Sequence, residues 1–329
     1  MKNRYELLDF LRVLAILLVL NSHLDNLYPI SALATGGAAG NGLFFIISGY
    51  CLSLRSSFSH HMTRRIVRLY PGVLISVCIQ VLLGIKILGS LSDFVRQCIW
   101  PTAFWFVGAI ILFDALIWWL DKLNFTSHMV LFTAVMLILY FTAYIFIVDK
   151  TKWSVEDPGL ATPSQCFKLI YCFYIYALGY CIKKRAFPQQ SRCRRMMLFT
   201  LTAVMFVGSF AFKLILVKWP ITMSFQFLTQ FMVIAFAFGA LLCAICFEPV
   251  YVNLLGQRLR KIITKLSTVS LEMYLVQFPV ISLSSVLPFP VNTLVVLAVT
   301  VMLAFMLHAL DERLFRTADR ALSAEVNTK

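Results

Sequence analysis

Apolar residues in this chain are not spread at amphipathic spacing. They gather in runs of 17 to 24 residues, separated by short polar segments. A run of about 20 apolar residues crosses the hydrocarbon core of a bilayer as one helix. Ten such runs can be drawn, over residues 7–27, 38–54, 73–89, 104–120, 129–148, 164–182, 196–217, 224–247, 266–285 and 291–310. The second is the least regular, because it opens in Gly36-Gly37-Ala38-Ala39-Gly40-Asn41-Gly42. The pattern predicts an all-α polytopic membrane protein of about ten transmembrane helices. The first run is too long for a cleavable signal and lacks a small-residue cleavage site. No internal repeat or low-complexity segment stands out.

Composition agrees with this pattern. Of 329 residues 60% are hydrophobic and 13% charged, against about 25% charged in a soluble domain. The net charge of +14 invites a nucleic-acid reading until the cations are placed along the chain. With the N-terminus in the cytoplasm, 21 Lys and Arg residues fall on the inner side and only Arg96, Lys150, Lys152 and Lys218 on the outer; the other four lie within the runs. That asymmetry is the positive-inside signature. The basic charge is thus first a topology signal with both termini cytoplasmic, and the expected surroundings are a lipid bilayer and no nucleic acid. Nine cysteines form no disulfide framework. Cys243 and Cys246 make a C-x-x-C inside an apolar run, but no second pair completes a zinc site, so no metal is expected.

Ionisable residues inside a bilayer are costly, which makes each a functional candidate. Lys86, Lys168 and Lys213 fall near outer helix ends, where their stems can snorkel to the interface. His308 lies near the inner end of the last run, within reach of headgroups, and His60 and His61 fall in a cytoplasmic loop. Arg12, His23, Asp114 and Glu272 are harder to dismiss. Eleven helical residues turn through three turns plus about 20°, so Arg12 and His23 share a face, separated along the axis by roughly 16 Å. Asp9, three residues before Arg12, can pair with it. Arg64, Arg65 and Arg68 precede Tyr70-Pro71 in the loop of 55–68. The spacing of Arg65 and Arg68 sends both guanidiniums from one side of a helical turn, a fork suited to phosphate. Taken alone, this cluster reads as well as an anchor for anionic headgroups.

Three segments together carry a family resemblance. Leu8-Asp9-Phe10-Leu11-Arg12, continuing to His23, resembles the L-D-x-x-R opening and Arg-x10-His spacing of the acyltransferase-3 family of integral membrane O-acyltransferases. Gly40-Asn41-Gly42-Leu43-Phe44-Phe45-Ile46-Ile47-Ser48-Gly49-Tyr50 is similar to that family's G-V-x-L-F-F-x-x-S-G-[FY]. Arg64-Arg65-Ile66-Val67-Arg68-Leu69-Tyr70-Pro71 resembles its R-R-x-x-R-x-x-P. Weaker echoes are Phe104-Trp105-Phe106-Val107 and the stretch from Ser270 to Pro279. Residues from about 121 to 265 match only as hydrophobic helices. Two positions depart from the pattern: Gln277 stands where the family's Y-L-x-H-x-P has histidine, and Asn41 where valine is usual, in a segment expected as a loop near the site.

The resemblance implies transfer of an acyl group, commonly acetyl from acetyl-CoA, onto a carbohydrate or lipid-linked sugar of the envelope, in the inner membrane. With about 19 residues after the last run, residues 1–329 are expected to act as one membrane acyltransferase domain without a fused soluble domain. Coenzyme A phosphates are expected near Arg65, Arg68 and Arg12. The pantetheine arm then runs up the bundle to His23, the general base or first acyl acceptor. Glu272 or Asp114 is expected to orient the imidazole, and His23, Arg12 and Glu272 form the expected catalytic set. A transporter of a lipid-linked sugar or small solute is the main rival from another class, since many helices with intramembrane charges suit it too. A structural partner of a polysaccharide assembly complex is a third reading, and it needs none of these charges.

Overall fold

The computed structural model describes residues 5–54, 57–100, 104–157, 159–185 and 190–327, with side chains as far as Phe315. The described residues form helices and connections with no strand. In chain order the helices are α1 (Glu6–Ser22), α2 (Gly37–Cys51), α3 (Phe58–Leu82), α4 (Leu91–Phe94), α5 (Trp105–Lys122) and α6 (Met129–Ile147). They continue with α7 (Pro163–Lys184), α8 (Arg192–Lys218), α9 (Phe227–Leu254), α10 (Gln257–Thr268), α11 (Ser270–Ser284) and α12 (Val291–Asn327).

Seven of the described helices are long and apolar enough to cross a membrane: α2 and α6, each with the turn before it, α3, α7, α8, α9, and α12 as far as Phe315. The pair α10–α11, bent by 66°, brings the number to eight if counted as one span. The chain is therefore a multi-pass membrane protein. Two of the ten apolar runs fall outside this set: α1 is 17 residues long, and α5 carries Asp114, Asp121 and Lys122.

The third run differs most from its expected bounds. Instead of starting at residue 73, α3 starts at Phe58, where the Ser57 side chain caps the His60 N–H. It passes through Pro71 and ends at Leu82, before Gly84 at φ 68°. Hydropathy alone misplaced its start, because Arg64, Arg65 and Arg68 are apolar nowhere but are good helix formers. These arginines, with His60 and His61, sit on a helix and not in a loop.

Close backbone contact fixes the centre of the bundle. A Cβ on Gly49 of α2 would run into the carbonyl of Tyr176 on α7, and one on Gly179 of α7 into the carbonyl of Ile46 on α2. A Cβ on Gly40 would stand 2.6 Å from the Ala15 carbonyl oxygen of α1. Small residues at such crossings let membrane helices pack backbone to backbone, which gives the glycines of the second motif a physical reason. Leu43, Phe45 and Ile46, between them on α2, are fully buried.

The orientation of α1 is set from its N-terminus. Glu248 of α9 accepts the otherwise unpaired N–H groups of Glu6 and Leu7 at 2.7 and 2.8 Å, as an N-terminal cap does. Asp9, 1% exposed, accepts from Ser267 and Thr264 of α10 at 2.9 and 3.2 Å. These contacts leave Arg12, one turn on, facing the interior.

Candidate active site

At the end of the bundle where α1 begins, a cavity of about 360 Å³ is lined by Arg12, Arg64, Arg65, Arg68, His61, Ser48, Cys51 and Phe315. The four guanidiniums come from two helices, and the Arg65/Arg68 spacing does bring both to one cavity. Their environments differ. Arg12 Nη1 lies 3.5 Å from Asp9 and its Nη2 donates to Cys51 Sγ at 3.1 Å. Arg65 Nε is ion-paired with Asp114, a fully buried α5 carboxylate that also accepts from the Tyr176 hydroxyl. Arg68 is exposed, makes no ion pair among the described residues, and lies 5.9 Å from the centre of the Phe315 ring. Arg64 lies 6.0 Å from the same ring.

At the other end of α1 a second cavity, about 340 Å³, holds His23. The helix stops at Ser22, so His23 is the residue after it, with its N–H on the Leu20 carbonyl at 3.0 Å. The imidazole meets the Phe278 ring edge-on at 5.0 Å and has no side-chain hydrogen bond among the described residues. Burial lowers its pKa from the ordinary 6.5, while Asp25 pulls weakly the other way. The ring is therefore predominantly neutral at pH 7, as a proton acceptor must be.

The His23 cavity is richer than the motifs foretell. Lys168, expected to snorkel, is 2% exposed. Its ammonium donates to the Asp157 carbonyl at 2.6 Å and lies 4.0 Å from the Trp105 ring centre. Lys213 lies 5.2 Å from the Trp153 ring centre, and Trp153, Glu156, Asp157, Tyr171 and Tyr274 also line the cavity. Burial raises the Glu156 carboxyl above its ordinary value, against the pull of Lys213 and Lys168. Local sequence offered one signal for these residues: a Trp-x-x-Glu-Asp segment at 153–157 in a loop between two apolar runs. Asn41, within the second apolar run, lines this cavity from α2.

Neither carboxylate proposed to orient His23 is bonded to it. Asp114 is committed to Arg65 and Tyr176. Glu272 Oε1 is 2.6 Å from His308 Nδ1 across the α11–α12 pair, so His308 has a protein partner. Gln277 is fully buried, with neither amide atom hydrogen-bonded among the described residues.

An aromatic layer separates the cavities. On α2, Asn41 lines the His23 cavity and Ser48 the arginine-lined one, and Phe45 lies between them. The Phe45 ring packs 4.7 Å from Phe106 and 5.3 Å from Phe113 of α5. Phe113 also packs 5.7 Å from the ring of Tyr176, whose hydroxyl donates to Asp114, and this ties the layer to the Arg65 ion pair.

Comparison with protein families settles which kind of molecule carries this arrangement. The acyltransferase-3 family model, described as an acyltransferase domain, matches residues 5–309. The chain belongs to the acyltransferase-3 family. It is a membrane acyltransferase, which implies an acyl donor, an acceptor and a surrounding bilayer. No curated protein and no solved structure matches the chain.

Proposed function

We propose that this acyltransferase moves an acetyl-type group from cytoplasmic acyl-CoA, held in the basic inner cavity, to a carbohydrate hydroxyl in the outer cavity. One observation carries the reading. A single helix carries Arg12 into a cavity of guanidiniums near one end and is followed at the other by the His23 imidazole among aromatic and carboxylate groups. The first suits the phosphates of coenzyme A; the second suits a polyol whose proton must be removed. The roughly 16 Å between Arg12 and His23 is of the order of a pantetheine arm, which reaches His23 when the rings of Phe45, Phe106 and Phe113 turn aside.

His23 then takes the hydroxyl proton as the sugar oxygen attacks the thioester carbonyl. The new C–O bond forms, the C–S bond breaks, and the proton passes from the imidazolium to the departing sulfur, leaving an ester and free CoA. Arg68 and Arg12 hold the donor, and no metal enters the scheme. Glu272 acts at one remove, through His308, on the packing of α11 whose Phe278 abuts His23. The chain works as one domain in the inner membrane. The deciding experiment compares the masses of envelope glycans from cells with and without the protein. A loss of one acyl unit per modified sugar is expected, and identical glycans overturn the proposal.

The accompanying topology has ten spans, α1 and α5 included, with both termini cytoplasmic. It rests on the 21 inner and 4 outer cations and the positive-inside bias. Reporter fusions at residues 155 and 190 should find them on opposite sides, 155 outside. The same side for both would overturn the ten-span arrangement.

A further inference from the structure

A third cavity, about 560 Å³, opens between α1, α8 and α9, away from the proposed reaction path. It runs from Leu7 and Met196 to Leu14 and Phe206, about 15 Å along α8. Its walls are apolar along that length. The Thr202 hydroxyl, for example, is turned back onto the Leu198 carbonyl at 2.7 Å.

Its two ends differ. Tyr251, 8% exposed, lines the Leu7 end, and its hydroxyl has no hydrogen bond among the described residues. On the α8 side, the Arg195 guanidinium lies 5.7 Å from the centre of the Phe247 ring, itself part of the wall, and the buried Arg195 Nε is also without a partner among the described residues. A buried donor left unpaired costs about 1–3 kcal/mol, and here two such groups stand at the mouth of one groove. Nearby carboxylates do not answer them: Glu248 accepts the Glu6 and Leu7 N–H groups, and Glu6 is paired with Arg260 at 2.7 Å. The charge divides across the mouth: Tyr251 faces Glu6, Glu248 and Asp9 with Arg260, whereas on the α8 side Arg192 and Arg194 share the first turn with Arg195.

An apolar groove flanked by a guanidinium that pairs with no carboxylate among the described residues is complementary to an amphiphile with an anionic head. We infer that this groove is a binding site for an anionic glycerophospholipid, with one acyl chain between α1, α8 and α9 and the phosphate on Arg195 at the α8 side. The inference is independent of the identity of donor and acceptor. It places a specific lipid against α1, the helix that carries Arg12 and leads to His23.

The test uses the full-length chain in mild detergent, exposed to equal amounts of phosphatidylglycerol and phosphatidylcholine. Bound lipid is read by native mass spectrometry and the thermal midpoint followed in parallel. Preferential retention of phosphatidylglycerol with a raised midpoint is expected. Arg195→Ala should weaken that retention by about tenfold or more, the loss of a charge-assisted contact. Arg258→Ala, which removes an exposed cation on α10, should leave retention unchanged. Ala240→Phe fills the groove and should abolish retention, and its lipid-free midpoint reports whether it folds. Equal retention of both lipids overturns the site, as does phosphatidylglycerol preference that survives in Arg195→Ala. Displacement of phosphatidylglycerol by an equal amount of polyprenyl phosphate would also overturn it, assigning the groove to a carrier lipid.

Discussion

Arg68→Ala is expected to weaken use of the CoA donor by roughly 10- to 150-fold, the equivalent of one charge-assisted hydrogen bond of about 1.5–3 kcal/mol. Arg65→Ala is expected to fail differently, by lowering the amount of folded protein. Both guanidiniums line the inner cavity, but only Arg68 is without a carboxylate. Removing Arg65 strands Asp114, a fully buried carboxylate whose other partner is the neutral Tyr176 hydroxyl. Breaking a buried ion pair from one side costs about 3–5 kcal/mol, because the remaining charge is uncompensated. Arg65→Ala/Asp114→Asn removes that charge and should restore the membrane level, leaving any donor defect to be measured on its own. Arg68→Lys should rescue donor use only in part, since a point charge lacks the planar fork. Titration of donor concentration in membranes normalised for protein separates these outcomes. Normal donor dependence in Arg68→Ala would return that residue to headgroup binding, and a normal level of Arg65→Ala would remove the structural role of the pair.

The different fates of neighbouring arginines show where sequence reading stops. Helices were legible because a membrane span must be apolar for nearly its whole length, so hydropathy reports it without any partner. The start of α3 was not legible, because its first turns leave the apolar run and carry arginines at Arg64, Arg65 and Arg68. Lys168 and Lys213 were placed near helix ends, where snorkelling explains a lysine. The connection 148–162 folds back over them instead, and Lys168 bonds to Asp157, 11 residues earlier. Partnerships of Asp114 with Arg65 and of Glu272 with His308 join residues 49 and 36 apart. No helical periodicity links such pairs; only the packing of α3 on α5 and of α11 on α12 does. The local pair Asp9–Arg12 was legible, since i, i+3 neighbours on a helix meet whatever the tertiary structure.

His23→Gln is expected to cost about 10²- to 10⁴-fold in acyl transfer, the usual contribution of a general base, with the membrane level unchanged. Glutamine keeps the size and hydrogen-bonding capacity of the side chain but cannot accept the proton. No other histidine is positioned to replace it. His61 lines the inner cavity, His60 shares its helix, His128 lies in the turn before α6, and His308 is bonded to Glu272. Gln277, buried on α11, has no basic nitrogen. The pH profile adds a reading that a packing role would not produce. Burial lowers the His23 pKa below its ordinary 6.5, and the neutral ring is the active form. At pH 6.5 more than half the enzyme is therefore still competent, and the rate should fall only as pH drops through the lowered value. The wild-type acid limb is expected below pH 6.5, and the residual activity of His23→Gln should lack that limb. Near-normal transfer by His23→Gln, or an acid limb that survives the substitution, would make His23 a packing residue against Phe278 and move the base elsewhere in the outer cavity, with the Glu156 carboxylate first to be examined.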